Sequence, residues 1–237
     1  MRSYWTQSRS LFYSLIAVVP LLVTYEVGLL LIHHPGAPRV RNTADVILNS
    51  VLATFGLQGL AGLGLLFLIG ILFAFLFFRQ RQPDFEFSSQ VLLGMLIESL
   101  IWGSLLAGLL GSLQTALVTP VPPDTPSQII LGLGAGLFEE FLFRLILISG
   151  LTPLIVLIFQ TRKLTAALAA IVTAALIFSW FHFLGPMGES VQWNRFLLRW
   201  FAGIVLGLLY QFRGFGITAW THAIYDVVII VSRTVMS

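Results

Sequence analysis

The stretch Gly136-Leu137-Phe138-Glu139-Glu140-Phe141-Leu142-Phe143-Arg144 puts three ionisable groups within six residues of an otherwise apolar run. The run extends from 128 to 148, which is long enough to cross a bilayer as a helix. A charge at bilayer depth costs at least about 2.5–3.5 kcal/mol on insertion scales. A segment that only anchored the chain would gain nothing from keeping three of them. Two later apolar runs each carry one histidine, His182 and His222. The polar groups of these three runs are therefore expected to meet in one buried cavity.

Composition agrees with a chain that lives in lipid. The 237 residues are 57% hydrophobic and 10% charged, and the mean hydropathy is +0.94. Soluble domains usually carry about a quarter of charged residues, so the expected class is all-α, a polytopic membrane helical bundle. Cysteine is absent, which removes disulfides, iron–sulfur clusters and thiol catalysis. The net charge of +3 comes from only thirteen basic residues spread along the chain. Such a distribution reads as membrane topology, and nucleic acid is not an expected partner.

Working outward, the apolar runs are 11–32, 57–78, 91–117, 128–148, 164–183, 196–212 and 217–231. A short piece at 154–159 follows a break at Gly150 and Pro153, and it is either a further span or an interfacial helix. The bundle is thus expected to have seven to eight transmembrane helices. Residues 1–120 form N-terminal helices and 121–237 the functional core, within a single integral membrane domain. Arg2 and Arg9 precede the first run, which is too long for an ordinary signal-peptide core and reads as a retained helix. Basic residues there and at Arg79 and Arg81 favour a cytoplasmic N-terminus. The pairs Gly132/Gly136 and Gly203/Gly207 are small-xxx-small patterns that let helices approach closely. The Phe-rich second run faces lipid or packs in the core.

Helical spacing supplies partners for the intramembrane charges. Glu140 and Arg144 are i,i+4 and can pair on one face. Glu139 points about 100° away and is free to face another helix. Phe178 and His182 repeat the i,i+4 spacing, as do His222 and Asp226. An aspartate there can fix the tautomer of the imidazole. A carboxylate, a histidine that helps deprotonate water and a second histidine with a polar helper suffice to hydrolyse an amide. Glu26 and Glu98 match no motif; they line the cavity, pair with Arg144 or lie nearer an interface. His33 and His34 read as solvated loop residues. Simple counting sets His182 and His222 at depths differing by about 10 Å or more. Bringing them together requires strong helix tilt, or a fold-back of the segment around Gly185 and Pro186.

Glu139-Glu140-x-x-x-Arg144, Phe178-x-x-x-His182 and His222-x-x-x-Asp226, in this order on successive hydrophobic helices, resemble the three motifs of the CPBP family, the CAAX protease and bacteriocin-processing (Abi-type) intramembrane endopeptidases. The resemblance covers roughly residues 125–233. It implies a hydrolase, a CAAX protease-like enzyme in which Glu139 and His182 activate water. His222 and the Asp226 position would supply the oxyanion site, with Glu140, Arg144 and Phe178 in support. Many family members have asparagine at the Asp226 position. An aspartate accepts hydrogen bonds unless protonated, so here it either orients His222 or serves the oxyanion as the acid.

Two glutamates and two histidines are also a conceivable zinc set, with Glu139, His182 and His222 as ligands of a metalloprotease. No His-Glu-x-x-His signature is present, and a glutamate-based, metal-free mechanism uses the same residues. The expected partners are membrane lipids and a membrane-associated protein or peptide substrate. The expected location is a prokaryotic inner membrane. The competing readings are a proton-coupled transporter and a non-catalytic scaffold or immunity protein on the same fold.

Overall fold

The structure, a computed structural model, describes residues 3–32, 41–57, 59–81, 87–115, 125–184 and 189–236, and among them there are helices and no strands. A short helix α1 (Tyr4–Ser8) leads into α2 (Leu11–Ile32), followed by α3 (Thr43–Ala53), α4 (Gly59–Arg81) and α5 (Ser89–Thr115). Then come α6 (Thr125–Glu140), a π-helical segment (Phe141–Ile148), α7 (Ser149–Phe159), α8 (Lys163–Phe181), α9 (Trp193–Arg213) and α10 (Phe215–Met236). Among the described residues, six helical stretches are long and apolar enough to cross a membrane, and the Leu65–Gln80 part of α4 is a shorter apolar helix.

The piece at 154–159 neither turns back nor lies apart, as the break at Gly150 and Pro153 had suggested. Instead α6, the π segment and α7 run on as one stretch of 35 residues, Thr125–Phe159. Proline normally breaks a helix because it lacks a donor and its ring crowds the turn before it. Here it follows a wider π turn, and the Thr152 hydroxyl donates to Ile148 O at 2.8 Å. The carbonyl that this proline leaves without its usual donor is that of Ser149, and a local π adjustment is one way such breaks are accommodated inside membranes. The stretch ends only at Gln160, whose φ of 49° is left-handed.

The glycine pairs set the packing. A Cβ on Gly136 would lie 2.5 Å from Ala223 N, and one on Gly132 would lie 3.1 Å from Asp226 Cβ. These glycines let α6 and α10 run nearly backbone to backbone. The helices are antiparallel, since Thr125 at the start of α6 meets Thr234 at the end of α10 at 3.3 Å. Gly203 and Gly207 play the same part between α9 and α8, facing Ala175 and Ile171. Gly214, with a φ of 82°, alone joins α9 to α10; a side chain would be strained in that conformation.

The Phe-rich helix α4 divides its aromatic residues between two environments. Phe67 is buried in the core, while Phe73 and Phe77 lie on the exposed apolar surface that lipid would cover. Helix α3 lies in a region that the hydropathy pattern leaves as loop. It is too short to span and starts at a capped asparagine, Asn42, whose side chain accepts from Ala44 N at 2.8 Å. His33, His34 and the segment around Gly185 and Pro186 lie outside the described residues.

Candidate active site

Glu139 and Glu140 end α6, where the close approach allowed by Gly136 sets them beside His222 of α10. Both carboxylates are buried, as are Arg144 and His222. The two glutamates diverge, as expected of residues about 100° apart on a helix.

Glu140 turns toward α10 and its own helix. Its Oε1 accepts from His222 Nδ1 at 2.7 Å and lies 2.9 Å from Arg144 Nη1. Nη1 is out of line for a hydrogen bond, so charge holds that pair. Arg144 Nη2 donates to Gly203 O at 3.2 Å, and its guanidinium lies 4.7 Å from the centre of the Phe178 ring. A desolvated cation over an aromatic face is attracted by the ring quadrupole. Glu140 and Arg144 therefore tie their own helical stretch to α8, α9 and α10. The i,i+4 pairing was legible in the sequence; the grip of Glu140 on His222 was not.

Glu139 turns the other way. Its Oε1 accepts from Asn42 Nδ2 at 2.9 Å, and its Oε2 lies 3.9 Å from His182 Nε2. His182 stands just past the end of α8, and its ring leans back so that Nδ1 lies 2.9 Å from Phe178 O. A carbonyl only accepts, so Nδ1 is the donor, and in the neutral ring Nε2 carries the lone pair. Phe178 packs edge-on against both imidazoles, with ring centroids 5.0 Å from His182 and 6.2 Å from His222.

The expected depth mismatch between the histidines is thus absent. His182 leans back toward Phe178, and α10 packs chiefly on α5 and α6 instead of retracing α9. Beyond α8, Glu189 N donates to His182 O at 3.0 Å.

Asp226 stands one turn beyond His222, its Oδ2 3.5 Å from His222 Nε2. Both ring nitrogens of His222 therefore face carboxylates. Of the set Glu139, His182 and His222, considered above for zinc, His222 has Glu140 at its Nδ1 and Asp226 facing its Nε2. Among the described residues, no group of three or more His, Cys, Asp or Glu side chains is arranged to hold a metal ion.

Two other intramembrane acids fall outside this cluster. Glu98 accepts from Tyr4, Trp102 and Arg213, which ties α5 to α1 and to the end of α9. Glu26 pairs with Arg41, not with Arg144. The residue that sequence reasoning missed is Asn42. Its only signal was that of a helix N-cap, Asn42-Thr43-Ala44-Asp45; nothing local ties it to a glutamate 97 positions away.

A family model described as type II CAAX prenyl endopeptidase Rce1-like matches residues 122–228. No curated protein and no solved structure matches the chain. The match spans Glu139, Glu140, Arg144, Phe178, His182, His222 and Asp226, the residues whose order suggested the resemblance, and stops short of the N-terminal helices that carry Asn42. Residues 122–228, with both glutamates and both histidines, are thus similar to the type II CAAX prenyl endopeptidases of the Rce1-like family, and the chain that carries them is an integral, multi-pass membrane protein.

Proposed function

We propose that the protein hydrolyses a peptide bond of a membrane-associated protein or peptide, with water activated by Glu139 and His182. The observation that carries this reading is the 3.9 Å separation of Glu139 Oε2 and His182 Nε2. It is too long for a direct hydrogen bond and suits two groups that share a water molecule. An ionised Oε2 and a neutral Nε2 are both acceptors, so one water can donate a proton to each. Either group can then take a proton as the water oxygen attacks the scissile carbonyl, and the protonated base returns it to the leaving amine.

The developing oxyanion needs a donor. His222 is the candidate when its ring carries both protons: Nδ1–H then donates to Glu140, and Nε2–H, which Asp226 faces at 3.5 Å, is left to turn to the oxyanion. In this reading Asp226 orients the ring, and it reaches the oxyanion only when protonated. Glu140, Arg144 and Phe178 hold the histidines in register.

Alanine substitution of Glu139 and of His182 in the purified protein tests the assignment. The readout is cleavage of a peptide library that includes farnesylated and unmodified CAAX sequences. General-base loss typically costs about 10²–10⁴-fold, and both variants should fall by that order. Full cleavage by both would remove the assignment. Chelation of the wild-type protein is a second arm: the glutamate-based reading expects activity to survive, and loss of a stoichiometric zinc together with turnover would overturn it.

A further inference from the structure

Asn42 precedes α3, outside the stretch that the family model matches, yet its side chain reaches the carboxylate read above as the base. Which atom it presents is decided by its other contact. The Ala44 N–H is a donor, so the atom facing it at 2.8 Å must be the amide oxygen, Oδ1. The amide nitrogen is then left for Glu139 Oε1 at 2.9 Å. Hydrogen-bond networks assign amide orientation in this way. A donor on Oε1 favours the ionised carboxylate and leaves Oε2 as the oxygen turned toward His182.

Asn42 is itself held from three sides. Its backbone N–H donates to Tyr25 OH at 3.0 Å, and the same hydroxyl donates to Asp45 at 2.8 Å. Arg41, next in the chain, pairs with both Asp45 and Glu26. The Tyr25 ring packs on Phe138, the neighbour of Glu139, with centroids 5.3 Å apart. Tyr25 fits there because position 134 is glycine; a Cβ on it would lie 2.3 Å from the ring. Glu26, an intramembrane acid with no part in the motifs, thereby gains one: with Asp45 it neutralises the arginine that anchors the start of α3.

We propose that Asn42 is a positioning residue for the Glu139 carboxylate, holding Oε1 so that Oε2 faces His182 and the reacting water. The inference rests on the reading of Glu139 as the base. It makes the N-terminal helices part of the active site.

Asn42 also caps α3, so alanine would remove two functions together. Asn42→Ser and Asn42→Asp separate them. Both replacements are good N-caps, but serine is too short to reach Glu139 and aspartate offers it a second carboxylate. Other groups facing Glu139 are His182 from α8, His222 and Asp226 from α10, and Arg144 from its own span; both variants leave these unchanged.

With cleaved library peptides, Asn42→Ser should lower kcat about tenfold and move the acid limb of the kcat/KM profile up by about one pH unit, because a hydrogen bond to the ionised base is lost. Asn42→Asp should shift the limb further. A readout independent of turnover is infrared titration of the carboxylates with ¹³C-labelled glutamate, where the band lost in Glu139→Gln marks Glu139. Asn42→Ser should move the midpoint of that band upward. An unmoved band and acid limb in both variants, whether or not kcat falls, would reduce Asn42 to a helix cap and overturn the inference. If instead Glu139→Gln cleaves at the full rate, the reading of the base fails, while the infrared result still decides whether Asn42 holds Glu139.

Discussion

Glu98 and Glu139 look alike in the sequence, each a carboxylate in the middle of an apolar run, but the structure treats them in opposite ways. Glu98 is closed. Its Oε2 accepts from Tyr4 at 2.8 Å and from Arg213 at 2.6 Å, and its Oε1 accepts from Arg213 and from Trp102 at 3.3 Å. Glu139 is open. One oxygen rests on Asn42 and the other faces a histidine across a gap no direct hydrogen bond spans. A half-buried charge saturated by donors is a fastener between helices. A buried charge with one side left toward another base is placed for chemistry. Glu140 stands between these cases, with Oε1 shared by His222 and Arg144 and with no hydrogen-bond partner on Oε2 among the described residues.

If that contrast is right, breaking each carboxylate should damage something different. Glu140→Gln leaves Arg144 buried without its counter-charge, and losing one partner of a buried pair typically costs about 3–5 kcal/mol. Thermal unfolding in detergent should show the largest drop of the series, accompanied by loss of cleavage as His222 is released. A variant as stable as wild type would show that Arg144 is neutralised elsewhere. Glu98→Gln should cost about 2 kcal/mol, in line with hydrogen bonds to a charged group, and leave turnover per folded molecule unchanged. A turnover defect without a stability defect there would erase the distinction between the two carboxylates.

The smallest effect belongs to Glu189, at the mouth of the bundle. Burial pushes its carboxyl up, but Arg199 at 2.6 Å and Arg195 at 2.8 Å outweigh that and hold it below the ordinary value of 4.5. A carboxyl lowered by folding contributes stability above its unfolded pKa, and that contribution is lost as pH falls through the lowered folded value. The side chain is 38% exposed, so solvent screening keeps the gain below about 1 kcal/mol. Wild type should therefore exceed Glu189→Gln in melting temperature slightly at neutral pH, and the two should converge in acid. A constant gap down to pH 2 would mean that the ion pairs are not its source.

The helices with the motifs were legible because spacing and hydropathy are local properties. Glu140 with Arg144, Phe178 with His182 and His222 with Asp226 all follow from i,i+4 geometry on one helix. The close approaches at Gly136 and Gly203 were legible for the same reason. Continuity through Pro153 was not, because whether proline ends a helix depends on the π turn before it, which hydropathy does not register. Helix α3 was missed because, at 11 residues, it is too short to read as a span. Asn42 reaches Glu139 only through tertiary packing, carried by Tyr25 and by the room left at Gly134. The level meeting of His182 and His222 was hidden for a similar reason: counting residues assumes that α10 retraces α9, and it packs against α5 and α6 instead.

Comparing Glu139→Gln with Glu98→Gln on one cleaved peptide, under single-turnover conditions and corrected for folded protein, tests the central claim most directly. The account predicts a loss of about 10²–10⁴-fold for Glu139→Gln and wild-type cleavage for Glu98→Gln. Equal rates for the two variants would contradict it.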